Sequence, residues 1–261
     1  MRRTFADILN DAEVDVFAEY HSLHMLVFQR CGFYGDMEEC FEWMPFAGTA
    51  YNLQDFNERN QFDFENFAYP NDFDDLLLLA EYAYNFAYVM NSDQELRTLN
   101  SISVLHRTDA LTDKIGYRFV QDRGLWVLVP ANEGIEAAAE VAPKAAGNDL
   151  FRYDYRGYKG DLEGKRKILA GLASALEPRR ADLNKVAKVF MGDYFYLVNN
   201  LNIRHNNVDP ADPGKYNSWV AQMPSGELEG WYDTVRDMSA AGFLFLEYQG
   251  KKEEIDETKR R

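Results

Sequence analysis

The chain has 261 residues, 46% of them hydrophobic and 15% aromatic, a composition that can bury a sizeable core and excludes a wholly disordered chain. Forty-three acids against 28 Lys and Arg leave a net charge of −15 and a pI near 4.7. The surface at large therefore repels nucleic acid and anionic membranes, which excludes a generic nucleic-acid coat and requires a local basic patch for any such contact.

At the start, MRRTFADILNDAEVDVF carries Asp7, Asp11, Glu13 and Asp15, which interrupt the apolar core a signal peptide needs. The longest apolar run, LLLLAEYAYNFAYVM, is broken by Glu81 and Asn85, so no membrane partner is expected and the reading is of a soluble, cytoplasmic protein. Cys31 and Cys40 are too few for a disulfide scaffold and fit a reducing compartment.

Phe5, Ile8, Leu9, Ala12, Val16, Tyr20, Leu23 and Val27 recur at helical spacing and predict one long helix over about 4–30. From 32 to 73 aromatics such as Phe33, Trp43, Tyr51 and Phe62 alternate with acids, and Arg59 is the only base. This segment reads either as an insertion packed by its own rings or, over 35–73, as a surface for a protein partner. Asp72 or Asp74 can cap the next helix, which runs to about 90 and is apolar almost all round, as a central core helix is. A further helix is predicted over 93–111. Then GYRFVQDRGLWVLVP places two runs rich in β-formers around Gln-Asp-Arg-Gly, the pattern of a β-hairpin ended by Pro130. An alanine-rich helix is expected over about 133–146.

Beyond the loop GNDLFRYDYRGYKG, Leu162 to Leu176 line a helix stopped by Pro178, and Leu183, Val186, Ala187, Phe190, Met191, Tyr194, Phe195 and Val198 form an unbroken helical stripe. Pro210, Pro213 and Gly214 break the chain, Ser225 reads as the N-cap of a last amphipathic helix, and KKEEIDETKRR as a solvated mixed-charge tail. No internal repeat is present. The fold class is mainly α, a helical bundle with one inserted β-hairpin. Its organisation reads as a helical region with the acidic-aromatic insertion (1–92), a helix and hairpin connector (93–150), a C-terminal helical domain (151–250) and the tail (251–261).

Few motifs carry chemistry. His21 and His24 sit three apart, with Cys31 and Cys40 following, a set that zinc could accept but whose spacing matches no standard site; no metal and no cofactor are expected. GDLEGKR lacks the Ser/Thr, the glycine spacing and the preceding strand of a phosphate loop, and reads as a helix start favoured by Asp161 and Glu163. His106 and Arg107 read as a helix surface. Arg152, Arg156, Lys159, Lys165 and Arg166, interleaved with Tyr153, Tyr155 and Tyr158, form the densest basic region, either an RNA strip with stacking rings or a solvated face. Trp231 and Tyr232 are expected to pack the last helix onto the stripe before it.

The stretch NNLNIRHNN, 199–207, is unusual. Asn206 or Asn207 can end a helix in the left-handed conformation, and Arg204 and His205 suit its negative end. Asn199, Asn200 and Asn202 are ordinary to poor helix formers inside the stripe, which points to a polar pocket. An imidazole beside a guanidinium suits metal-free phosphodiester chemistry on RNA. His205 would move the proton and Arg204 would hold the phosphate, with the asparagines orienting either. Adjacent helical residues diverge by about 100°, so the pair converges only if the backbone leaves the helix or two chains combine.

LVNNLNIRHNN followed by a loop and ELEGWYDTVRDMSAAGFLFLEY resembles the HEPN superfamily of helical domains, and IGYRFVQDRGLWVLVP is similar to a stretch of its abortive-infection members. The resemblance covers about 93–248. It implies a HEPN-like domain over 151–250, a metal-independent ribonuclease of a toxin or phage-defence system, and a homodimer. The family's motif is arginine, four to six residues, then histidine. His205 matches the histidine and Asn200 the polar position, while Val198, Asn199 and Asn200 stand where the arginine falls. Either Arg204 supplies the cation or the chain is a non-catalytic member kept for binding. In that second case the acidic-aromatic segment binds a basic protein or mimics nucleic acid.

Overall fold

In the computed structural model Asp15 opens the first helix, its carboxylate accepting the Ala18 N–H at 3.0 Å. The structure describes residues 14–29, 32–64 and 70–261. Helix α1 spans Val16–Phe28, and Asp15 is itself extended, so the helix expected over 4–30 does not run unbroken through it. A side-chain acceptor at this point satisfies an end N–H and starts a helix where periodicity alone sees continuity. Positions 4–13, with Phe5, Ile8, Leu9 and Ala12, lie outside the described residues, as do Cys31, Phe67 and Tyr69.

The acidic-aromatic segment folds as α2 (Phe33–Glu39), a 3-10 turn (Phe41–Trp43) and α3 (Leu53–Asn60). Asn52 caps α3 by accepting the Asp55 N–H at 2.8 Å, and Gln61 ends it in the left-handed region (φ 60°). Phe33, Met37, Phe41, Leu53 and Phe64 enter the core, whereas Trp43 and Tyr51 stay 62% and 88% exposed. The segment thus divides its rings between packing and surface.

Asp72 caps α4 (Phe73–Ser92), which buries Leu76, Leu77, Leu79, Ala80, Ala83, Phe86, Ala87 and Met90 and packs against α1 and α5 (Leu99–Ile115). Helix α5 starts at Leu99, later than the expected 93, because Thr98 and Ser101 exchange the hydrogen bonds of a capping box there. Gly116 ends it with φ 68°. Strands β1 (Tyr117–Asp122) and β2 (Leu125–Pro130) pair as the predicted hairpin, with Arg123 (φ 50°) and Gly124 (φ 85°) supplying the two positive φ angles that a two-residue turn needs. The polar residues that interrupt the apolar run of α4 have a structural task. Asn85 pairs with Trp126 through two hydrogen bonds of 2.8 Å, one to the carbonyl and one from the N–H, and Glu81 accepts the Leu128 N–H at 2.6 Å.

The chain divides into two compact units, Met1–Leu128 and Val129–Arg261, each with its own apolar core; the division falls inside β2, within the span read as a connector. In the second unit Pro143 splits the expected 133–146 helix into α6 (Glu133–Val141) and α7 (Lys144–Arg152). Proline lacks the N–H that would continue the ladder and forces the preceding Ala142 to be extended (φ −76°, ψ 157°). A 3-10 turn (Arg156–Tyr158) leads to α8 (Leu162–Leu176), started by Asp161 accepting the Gly164 N–H at 2.9 Å, and a second turn (Glu177–Arg179) leads to α9 (Arg180–Asn200).

The apolar stripe of α9 is not one straight helix. Ala187 leaves helical geometry (φ −144°, ψ 45°), and the Arg180 guanidinium lies 4.6 Å from the Phe195 ring. Fifteen residues of straight helix would separate those two positions by about 22 Å, so the chain folds back at Ala187. After α10 (Ser218–Ala221), α11 runs over Ser225–Lys259. Its cap is Pro224, whose carbonyl accepts the Glu227 and Leu228 N–H groups at 3.0 Å; Ser225, expected as the cap, is the first helical residue. The mixed-charge end continues this helix, with Lys251 reaching Glu247 and Lys259 reaching Asp256. Helix α11 packs against α6, α8 and α9, and Tyr232 is buried while Trp231 is partly covered. Among the described residues no helix is long and apolar enough to cross a membrane.

Candidate functional site

The asparagine cluster builds a turn. Helix α9 closes with the Leu201 N–H on the Leu197 carbonyl at 2.9 Å, and Asn202 then turns left-handed (φ 59°). Asn202 and Asn207 clamp each other: each side-chain oxygen accepts the other's backbone N–H, at 2.9 and 3.1 Å. Asn207, 3% exposed, also donates to the Lys215 carbonyl at 2.9 Å and accepts the Asn217 N–H at 2.7 Å on its own carbonyl. Asn200 donates back to the Tyr196 carbonyl at 2.8 Å, Asn199 is half-buried and Asn206 exposed.

Arg204 and His205 are half-buried neighbours on this turn, off the helix. The Arg204 guanidinium forks the Glu177 carboxylate, with Nη1 at 2.7 Å and Nη2 in closer contact. That hydrogen bond holds the Glu177 carboxyl below its usual range and raises Arg204. Beneath them Tyr194 hydrogen-bonds Ser239 at 3.1 Å, and burial pushes its phenol up to about 12.

The basic region around 152–166 is largely neutralised by its own acids. Arg152 donates to Asp149 (2.9 Å) and the Tyr158 hydroxyl (3.0 Å), and Arg166 forks Glu163 at 2.8 and 2.9 Å. Arg156 lies over the Tyr155 ring at 5.5 Å. Lys165 is 8% exposed: its ammonium sits 2.9 Å from Glu229, 3.1 Å from Asp233 and 4.5 Å from the Tyr153 ring centre. Of the five cations named for an RNA strip, Lys159 alone is exposed.

Lys165 belongs to a network between α7, α8 and α11 that the linear reading missed. Tyr153 donates to Asp233 at 2.8 Å, and Arg236 donates to Asp154 at 3.0 Å. Burial raises the Asp154 carboxyl despite Arg236, and burial with the Asp233 bond raises the Tyr153 phenol. The available signal was the spacing of Glu229, Asp233 and Arg236, four and then three residues apart, beside the apolar stripe of α11.

In the first unit the acidic-aromatic segment forms an open cleft of about 360 Å³. Tyr34 and Phe62 give it rings, Glu38, Glu58 and Asp63 carboxylates, and Gln54 and Asn57 amides; among the described residues no basic one lines it. Phe62 stacks on Phe64 (5.6 Å, 16°) and meets Tyr82 edge-on (5.4 Å), while Tyr34 rests against Phe28 (5.4 Å). Gln54 donates to Glu58 at 2.9 Å, and Asn57 Oδ1 accepts the Tyr82 hydroxyl at 3.1 Å.

The histidines of α1 do not converge on a metal. His24, 7% exposed, bonds the Phe64 carbonyl through Nε2 at 2.7 Å and lies against Phe28, whereas His21 is exposed. Among the described residues no group of three or more His, Cys, Asp or Glu side chains is placed to hold a metal ion. His106 is exposed on α5, and Arg107 turns to Glu19.

Fold and site together define a mainly α protein with a hairpin clamped by a core helix and an acidic, ring-walled cleft. No protein-family model, curated protein or solved structure matches the chain.

Proposed function

We propose that this chain is a non-catalytic interaction module whose acidic-aromatic segment, 35–73, binds a basic protein. Such a partner includes a nucleic-acid-binding protein whose site the acids would mimic. The observation that carries the reading is the cleft of that segment, lined among the described residues by carboxylates, amides and aromatic rings. Trp43 and Tyr51 of the same segment are exposed rings of the amphipathic kind that enriches interfaces. The test is fluorescence anisotropy of labelled nona-arginine with the full chain. A variant with Glu38→Lys, Glu39→Lys and Glu42→Lys, all at exposed positions, should bind at least about tenfold more weakly. Equal binding would remove the reading.

A second reading, RNA cleavage of the HEPN type in a toxin or phage-defence setting, is supported by the turn after α9. The backbone leaves the helix at Leu201, which lifts the helical divergence between Arg204 and His205. In this reading His205 transfers the proton, and the phosphate exchanges with Glu177 for the Arg204 fork, within one chain or across a homodimer. Lys159 and the neighbouring tyrosines would meet the RNA. Purified wild type and His205→Ala are compared on labelled total RNA and tRNA with EDTA present. Cleavage lost only in the variant supports this reading, and equal rates exclude it.

A further inference from the structure

We infer, independently of either functional reading, that Ala187 is an exchange hinge. Helix α9 straightens there, and two copies of this chain swap residues 188–261 to form a closed dimer.

The bend is not written into the local sequence. Elsewhere the chain turns where its residues dictate it, at the Thr98 capping box, at Gly116 (φ 68°), at Pro143 and at Asn202 (φ 59°). From Lys185 to Met191 there is no glycine, no proline and no Ser, Thr, Asn or Asp to cap a helix, and Ala187 and Lys188 are strong helix formers. Yet Ala187 is non-helical (φ −144°, ψ 45°). The apolar stripe also keeps its phase across the bend. Leu183, Ala187, Met191, Tyr194 and Val198 follow at steps of three or four, the spacing of one straight helix. Local preference thus favours a continuous helix of 21 residues, about 31 Å long, and only packing folds it back.

Contacts that cross the bend hold it. The Arg180 guanidinium lies 4.6 Å from the Phe195 ring, Arg204 forks Glu177, and Lys165 and Tyr153 both reach Asp233. Helix α11, after the hinge, packs on α6 and α8, before it. A straight α9 sets residues 180 and 195 about 22 Å apart and so draws the two halves of the unit away from each other. A lone straightened chain would expose Leu176, Leu183, Tyr194 and Phe243, all buried in the bent form, to water. A second straightened copy offers the identical surfaces. Each half then finds in the other chain the contacts it left, and Glu177 of one copy faces the partner's Arg204. Exchange of identical elements closes on a two-fold axis and leaves no core open. The two states share their side-chain contacts, and the dimer adds helical backbone bonds at the hinge, so protein concentration decides between them.

The full chain is unfolded in urea, refolded at about 10 μM and at about 1 mM, and sized by gel filtration with light scattering. A species of twice the 30.2 kDa chain mass is expected at the higher concentration, persisting on dilution because release requires the second unit to open. Inserting Gly-Gly-Ser between Ala187 and Lys188 relaxes the reversal and interrupts a straight helix. It should cut the dimer yield at least about tenfold and leave a folded monomer, read by circular dichroism. Exchange itself is read by complementation. Glu177→Arg and Arg204→Glu each set like charges across the fork within one chain, whereas a swapped heterodimer of the two restores an opposite-charge pair in each half. Refolded together, these variants should form heterodimer in excess of random pairing. Monomer alone at both concentrations, a dimer yield that the insertion leaves unchanged, or random pairing of the two charge variants would each overturn the inference. If the charge variants do not fold, the insertion decides by itself.

Discussion

Asn207 shows how one side chain can hold a whole turn. Its amide accepts the Asn202 N–H and donates to the Lys215 carbonyl from a site 3% exposed, so Asn207→Ala strands two backbone groups. A loss of about 2 kcal/mol in urea unfolding is expected for the second unit, against little change for Asn206→Ala, which is exposed. Glu19 is the corresponding residue of the first unit. Burial alone would raise its carboxyl, but hydrogen bonds and charge from Lys114 and Arg107 outweigh it and hold it below its ordinary value. A folded pKa below the unfolded one adds stability that is present above about pH 4.5 and is lost as pH falls through the folded pKa. Wild type should therefore lose stability on acidification below about pH 4.5 with a slope that Glu19→Gln flattens, and the variant should cost about 2 kcal/mol at neutral pH. That asparagines cluster at 199–207 was plain in the sequence; that Asn202 and Asn207 answer each other required the left-handed turn between them.

At the scale of elements, breaks in periodicity carried most of the information. Pro143, Thr98 and Asp15 each redirect the chain by local chemistry that a hydrophobic count passes over. The split at Pro143 makes α6 and α7 neighbours so close that a Cβ on Gly147 would lie 2.8 Å from the Ala139 carbonyl oxygen. Gly147→Ala should lower stability by about 1–3 kcal/mol by thermal or urea unfolding, although the same change raises helix propensity. If Gly147→Ala stabilises, the two helices do not need that approach. The hairpin was legible because its strand formers and turn are local. Its attachment was not, because Asn85 and Glu81 lie forty or more residues from the strand groups they bind.

Over the whole molecule the charge of −15 acts at long range, and its clearest expression is a rate. Association with nona-arginine should slow by about tenfold between about 50 and about 300 mM salt, measured by stopped-flow anisotropy, while dissociation changes less. Salt-independent association would mean that rings rather than acids steer the encounter. The sequence alone determined the mainly α class, the single hairpin, the acidic surface and the stretch in which aromatics and acids alternate, since composition, periodicity and turn chemistry are local properties. Tertiary structure alone decided the division at Leu128 into two cores, the reversal at Ala187, the capture of Lys165 by Glu229 and Asp233, and the lock of Arg204 onto Glu177. Each of these joins residues remote in the chain, and a charge or amide shows which partner it takes only when burial removes water as the alternative.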